Sequence, residues 1–476
     1  MSAGPRPASS PSTDGSALRG ALSRFTAHYG MVFVLALLCA YFAAVTNTEQ
    51  PLRGAEAARQ VAARISGGAA TSVLLVARAV EEDTAFLEAL ERGLRERGLT
   101  AIVRAQGEPR DARVALEQLT AAGRPLDYVA TTPECANWTV LQNLRERFPV
   151  LGSPPLLLAE SHRWPTFLTR QNLLNVANQI AVVAILAAGM SVVILTGGID
   201  LSVGSLIALS AVLVSRLLRD EAGGVAASAA AQVWCSLAGV TVCGAVGLFS
   251  GAMVAGFKVP PFIATLAVMQ VASGLAFIVA RGESIYELPE GFTFLGRGVG
   301  LLGLPHAVVL TLALYVGAHV VMTRTVLGRR IYAVGGNAEA ARLSGVNVAG
   351  VLLVAYTFCG AMAGLGGVLQ ASQLKSGAPN YGVMYELYAI AAVVVGGTSL
   401  RGGEGRIFGT LIGALIIAVI QNGMNLTGVE SYRQKVVLGL VILGAVLLDL
   451  LKRRDWRAAW RRWAGRRARA ASPADS

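Results

Sequence analysis

Residues 172–196 read NLLNVANQIAVVAILAAGMSVVILT and residues 197–219 continue GGIDLSVGSLIALSAVLVSRLLR. Between Ile180 and Ser215 one ionisable side chain, Asp200, interrupts an otherwise apolar run. A helix needs about 20 predominantly apolar residues to cross a hydrocarbon core, and each half of this stretch approaches that length. The chain is therefore read as membrane-spanning, and the same pattern recurs along it at 29–45, 231–256, 261–281, 305–322, 349–372, 383–399, 406–424 and 434–451. These segments, counted with 172–196 and 201–219, predict about ten transmembrane helices. Glycine clusters interrupt two regions, 172–219 and 383–424, which are open to reading as broken or re-entrant helices.

Composition agrees. The 476 residues are 54% hydrophobic and only 15% charged, against roughly 25% charged in a soluble domain, and the mean hydropathy is +0.55. In lipid, helices associate through close packing of small residues, a use for many of the 54 glycines. The formal charge of +12 invites a nucleic-acid reading, but the basic residues gather at the termini and at 324–342. The C-terminal tail, with Trp456, Trp460 and Trp463 among arginines, reads as a basic amphipathic helix on an anionic lipid surface, so no nucleic-acid partner is expected. The cysteines, Cys39, Cys135, Cys235, Cys243 and Cys359, show no metal-ligand spacing.

Residues 47–164 differ in character. Strand-like runs at 71–77, 100–103 and 126–131 alternate with helical patterns at 82–97, 112–122 and 140–148, which predicts a small parallel sheet flanked by helices. The fold class is accordingly an all-α polytopic membrane protein with an inserted small α/β domain. Its expected parts are a disordered cytoplasmic tail (1–28), a first transmembrane helix (29–46), the α/β insert (47–164), the main transmembrane domain (165–452) and a basic cytoplasmic tail (453–476). The 29–45 segment is long for a signal-peptide core and has no clear cleavage site, so it is read as retained. Lys and Arg near helix ends mark the cytoplasmic side: Arg19 and Arg24, Arg324, Arg329 and Arg330, and 452–469. An even helix count satisfies all three groups, leaves both termini cytoplasmic and sets the insert on the outer face, the periplasm of a bacterium.

Three motifs stand out. In Thr196-Gly197-Gly198-Ile199-Asp200-Leu201-Ser202-Val203-Gly204-Ser205, Asp200 at membrane depth costs at least about 2.5 kcal/mol even on insertion scales. It either caps the following helix or lines a polar path through an unwound segment, and the two are compatible. A second glycine-rich break, Val395 to Gly403, fits an internal repeat with the pathway between the copies, or equally a shared need for close packing. The third, Gly328 to Val346, holds a short polar helix former at 338–344, suited to docking in a partner's groove or to serving as a solvated connector.

Glu339-Ala340-Ala341 followed by Gly345 resembles the coupling-helix loop of ATP-binding cassette (ABC) importer permeases. With GGIDLSVGS at 197–205, KVPPFIATLAVMQ at 258–270, YELYAIAAVVVGGTSLRGG at 385–403 and HYGMVFVLALL at 28–38, the chain is similar to the ribose, xylose and arabinose class of permeases over 165–452. The resemblance implies a pathway formed with a second permease subunit, a periplasmic sugar-binding protein that delivers the solute, and a cytoplasmic ATPase contacted through Asn337, Glu339, Ala340, Ala341, Arg342 and Gly345. No phosphate-binding glycine loop ending in Lys-Ser or Lys-Thr occurs, so ATP hydrolysis is expected from the partner, and no cofactor from this chain. Ser250-Gly251 stands where the family usually carries Asn-Gly, and the 47–164 insert is foreign to such permeases. The insert resembles one lobe of a periplasmic sugar-binding protein. A single lobe cannot close around a ligand as two hinged lobes do, so it is read as a docking or regulatory module in preference to a fused receptor.

A membrane-anchored sensor would need a cytoplasmic output domain, and only short loops and a tail are available. An enzyme would need clustered catalytic groups, whereas His28, His162, His306 and His319 are scattered and no nucleophile elbow or zinc motif occurs. For the translocation path, polar residues in or beside apolar segments are the candidates: Asp200, Ser202, Thr265, Gln270, Asn380 and Glu386. Which sugar is carried is not written in these residues, and a nucleoside or a furanosyl signal remains open.

Overall fold

A computed structural model describes residues 15–300 and 303–453. The described residues pack as two compact units, one from the parts before 47 and after 166, the other of residues 47–166.

The first unit is helical. Each of the ten apolar segments contains a helix, and among the described residues six helices are long and apolar enough to cross a membrane: Arg170–Leu195, Ala229–Ala255, Pro261–Ala280, His306–Arg324, Val348–Leu374 and Ile407–Leu426. The other four depart for local reasons. Helix Val203–Arg216 is cut to 14 residues by the break at 197–202 and passes into a π turn at Leu217–Glu221. Tyr385–Val395 has 11 residues because Gly396 and Gly397 end it. Ser431–Arg453 carries charges at both ends. Helix Gly15–Val45 starts well before the expected disordered tail ends, since Ala17-Leu18-Arg19 and Ala21-Leu22 are good helix formers. Residues 1–14 and the basic tail beyond Arg453, with Trp456, Trp460 and Trp463, lie outside the described residues.

Arg170–Leu195 is the axis of this unit, with 89% of its apolar window buried; a helix apolar on every side belongs inside. Glycines set the closest crossings. Helices Ala229–Ala255 and Val348–Leu374 touch through Gly247 and Gly360, where a β-carbon on Gly360 would lie 3.0 Å from the Gly247 Cα and overlap the Cys243 carbonyl. Gly409 and Gly413 do the same for Ile407–Leu426 against Tyr385–Val395: a β-carbon on Gly413 would overlap the Ala392 carbonyl. The packing reading of these glycines thus has direct support, as small residues at four-residue spacing let backbones meet.

The second unit contains a four-stranded parallel sheet of order β3-β2-β4-β5, formed by β2 (Val73–Ala77), β3 (Ile102–Gln106), β4 (Tyr128–Thr131) and β5 (Leu156–Leu157). Strands β1 (Asn47–Pro51) and β6 (Ser161–Pro165) pair antiparallel where the chain enters and leaves. All five residues of β2 are buried, as expected of a central strand covered on both faces. Val73, Leu75 and Ala77 pack against Gly54–Arg64 and Glu81–Glu96. Leu74 and Val76 face Pro109–Ala121 and the short helices after it.

Candidate functional site

The first break is built by glycine. Helix Arg170–Leu195 ends at Thr196 because Gly197 takes φ +84°, a left-handed conformation. Asp200 follows, fully buried, its Oδ1 accepting the Ser202 backbone N–H at 2.9 Å and the Ser202 hydroxyl at 2.6 Å. The carboxylate thus ties down the turn ahead of Val203–Arg216; that helix has Ser202 at its cap position and no side-chain cap, so Asp200 holds the break and does not cap the helix. Its Oδ2 has no hydrogen-bond partner among the described residues; Tyr356 and Cys359, one turn apart on Val348–Leu374, lie beside it, and a thiol is only a weak donor. Thr265, also buried, donates to the carbonyls of Pro261 at 2.9 Å and Ile199 at 3.3 Å. Asp200→Asn keeps the Oδ1 acceptor and is expected to leave thermal stability unchanged. Asp200→Ala removes both bonds and is expected to cost about 1–3 kcal/mol. Thermal unfolding in detergent reads both.

The second break mirrors the first, with Gly397 at φ +89° after Tyr385–Val395. The two meet in a joint. The Gly403 N–H donates to the Leu195 carbonyl at 2.9 Å, and a β-carbon on Gly402 would lie 2.8 Å from the Gly197 nitrogen and 2.9 Å from the Gly335 carbonyl. Gly335 closes helix Val326–Gly336, whose Tyr332 hydroxyl donates to the Gly405 carbonyl at 2.9 Å. Backbone from three segments therefore packs on backbone.

Directly after this joint comes the short helix Ala338–Leu343. Asn337 caps it, Oδ1 accepting the Ala340 N–H at 2.9 Å. Gly345 at φ +80° ends it, with Gly345 N–H on the Arg342 carbonyl and Val346 N–H on the Ala341 carbonyl, both 3.0 Å. Ala341 is buried and pins the helix to the bundle; Glu339, Ala340, Arg342 and Leu343 are exposed. Arg342 donates to Glu339 at 2.6 Å and, with Lys258, holds that carboxyl below the usual range.

At the other end of the same helices lies a cavity of about 190 Å³ edged by Gln179, Tyr385, Tyr388, Gln421, Asn425 and Gln434. Gln179 precedes Leu195 by 16 residues, placing the cavity about 24 Å along the helix from the glycine joint at 1.5 Å per residue.

In the second unit, β2 has β3 on one side and β4 on the other, and ligands of such sheets bind outside the strand ends at that point. Here the crevice is occupied by the chain's own ion pairs. Arg78 bonds Asp83 at 2.9 Å and reaches Glu134 at 3.8 Å, while Arg53 holds Glu82 at 2.7 Å and Glu134 at 3.3 Å. About 10 Å³ is left, room for one water at most.

Residues 172–446 match the family described as branched-chain amino acid transport system / permease component. The chain belongs to this family. It is similar to the ribose import permease protein RbsC of Escherichia coli strain K12, 44% identical over 312 residues that span 64% of this chain and 94% of that protein. It is equally similar to RbsC of Bacillus subtilis strain 168, 44% over 306 residues, 64% of this chain and 92% of that one. The D-allose transport system permease protein AlsC of Escherichia coli strain K12 is 38% identical over 286 residues, 60% and 85% of the two chains. No solved structure matches.

Against this family background, the residues singled out from sequence fall into three groups. Asp200, Ser202 and Thr265 come together at the first break, sealed from any open path in this conformation. Glu386 is half-buried, its carboxylate against Gly204 in the first turn of Val203–Arg216. Gln270 and Asn380 are exposed, and no hydrogen bond among the described residues joins them to the others. The His319 ring lies against Phe408, ring centres 4.7 Å apart and inclined at 48°. Sequence reading missed Leu343, the exposed apolar side chain on the short helix, and the amide and tyrosine cavity. Spacing links its helices only once they are folded together. Ser250, standing for the usual Asn, is fully buried with no partner for its hydroxyl among the described residues.

Proposed function

We propose that this chain is the membrane-spanning permease subunit of an ABC importer, carrying a monosaccharide inward across the bacterial inner membrane with energy from a separate ATPase. The observation that carries this reading is the exposed, doubly capped helix Ala338–Leu343, joined through Gly335 to both helix breaks of the bundle. A push on such a helix reaches the pathway helices through packed backbone. The sugar class rests on the ribose and allose permeases, each matched over most of its length.

The partners that follow are a cytoplasmic ATPase on Ala338–Leu343, a periplasmic sugar-binding protein, and a second copy of this chain completing the pathway. An even number of crossings with both termini cytoplasmic fits the positions of the basic residues. The test reconstitutes the chain in proteoliposomes with its ATPase and binding protein and follows uptake of labelled D-ribose and D-allose. ATP-dependent accumulation of either is the expected result; a chain that retains no ATPase overturns the reading, and uptake of a nucleoside alone replaces the substrate class.

The insert is a docking or regulatory module on the outer face, and the ion pairs filling its crevice favour this over a fused receptor. Deletion of 47–166 rejoins neighbours, because the Phe167 N–H already donates to the Thr46 hydroxyl at 3.1 Å. Expected is a fall of about tenfold in delivery by the separate binding protein, as a lost contact of about 1.4 kcal/mol gives. Unchanged uptake overturns both versions of the role.

A further inference from the structure

We propose that the cavity edged by Gln179, Gln421, Asn425, Gln434, Tyr385 and Tyr388 is where a neutral, hydroxyl-rich solute contacts this subunit during passage, an inference resting on the importer reading above. Its lining carries no charged side chain. The lining thus offers no counter-charge to the two ionised groups of an amino acid or to an anion, whereas its amides and hydroxyls match a neutral polyol. The chemistry therefore points away from the amino acids in the family's description and toward a sugar.

The polar groups are available and mixed in character. The amides of Gln179 and Gln421 and the hydroxyls of Tyr385 and Tyr388 have no protein hydrogen-bond partner among the described residues. Gln434 Nε2 donates to Asn425 Oδ1 at 2.8 Å and to the Val429 carbonyl at 2.7 Å. That pairing leaves Gln434 Oε1 to accept and Asn425 Nδ2 to donate. A sugar hydroxyl both donates and accepts, and the site offers both at fixed positions. The rings of Tyr385 and Tyr388, 6.0 Å apart and inclined at 51°, add apolar faces for the carbon-bound hydrogens of a sugar ring. At about 190 Å³ the space is below the roughly 300 Å³ at which sites for larger ligands begin, and it suits one ring. Three of the four helices that line it, Arg170–Leu195, Tyr385–Val395 and Ile407–Leu426, lie next to the glycine joint at their far ends, so motion at the joint changes the cavity.

The experiment uses the full chain with its ATPase and binding protein in proteoliposomes, with labelled D-ribose and 2-deoxy-D-ribose as probes. Gln421→Leu keeps size and suits an apolar bundle; Tyr388→Phe removes one oxygen. Expected is slower D-ribose uptake for each, by about threefold to tenfold, the usual worth of one neutral hydrogen bond, with a changed ratio between the two sugars and unchanged ATPase retention. A purely structural role would lower both sugars in parallel. Wild-type rates and ratios in both variants overturn the cavity while leaving the importer reading intact. A wild type that moves no monosaccharide overturns the importer reading and the cavity with it. Should Gln421→Leu lose the ATPase through misfolding, the Tyr388→Phe ratio decides alone.

Discussion

Gly335→Ala is expected to disrupt the membrane unit, while Gly336→Ala beside it is expected to do almost nothing. A β-carbon on Gly335 would overlap the Leu195 carbonyl oxygen and lie 2.5 Å from the Gly403 nitrogen, in the space taken by the hydrogen bond between those two atoms. Both neighbours are backbone, so no rotamer change relieves the clash. Helix ends at 195 and 336 and the turn at 402–403 would have to separate. Overpacking that moves backbone belongs among the larger single-residue effects, about 3 kcal/mol or more. A β-carbon on Gly336 meets nothing within 4 Å. Unfolding temperatures of the two variants in detergent, with ATP-dependent uptake as the second readout, check the contrast, and equal behaviour of the pair contradicts the joint.

The second large effect is expected at the short helix, in ATPase binding and not in folding. Leu343 is 79% exposed, an apolar side chain held outward by a helix whose other side is pinned by Ala341. Leu343→Asp leaves the fold in place and removes the one large apolar anchor of Ala338–Leu343. Loss of such an anchor costs about 2 kcal/mol, or roughly 30-fold in affinity. Glu339→Arg acts electrostatically: it breaks the exposed pair with Arg342, worth little to stability, and gathers a third cation beside Arg342 and Lys258. ATPase affinity for the chain in nanodiscs is expected to fall for both, with the Glu339 effect, a change of two charges, shrinking more at high salt. Wild-type affinity in Leu343→Asp would move the docking surface elsewhere.

The break at Asp200 shows how far local sequence reaches. Glycines at 197 and 198 and a carboxylate next to a hydroxyl predict an unwound turn, because those residues act on their own neighbours. The structure places the Asp200 to Ser202 bonds there. The helix count was less legible. Apolar runs give helices at all ten segments, yet apolar composition does not distinguish a spanning helix from a short one buried in the bundle such as Val203–Arg216. The path candidates illustrate the same limit. Gln270 and Asp200 are both polar residues in apolar surroundings by sequence, and only packing separates an exposed amide from a sealed carboxylate.

By itself the sequence determined that the chain lives in a membrane, that an alternating α/β segment lies between its first and second apolar helices, and that a short polar helix follows the central basic loop. Each of these depends on hydropathy period, glycine and proline placement, and caps, all written within a few residues of one another. Tertiary structure alone decided that Gly197, Gly335 and Gly402 form one joint, that four helices bring Gln179, Tyr388, Gln421 and Gln434 to one cavity, and that Arg53 and Arg78 fill the insert's crevice. Those arrangements join residues up to two hundred and more positions apart, and close packing of backbone and side chains is what selects them.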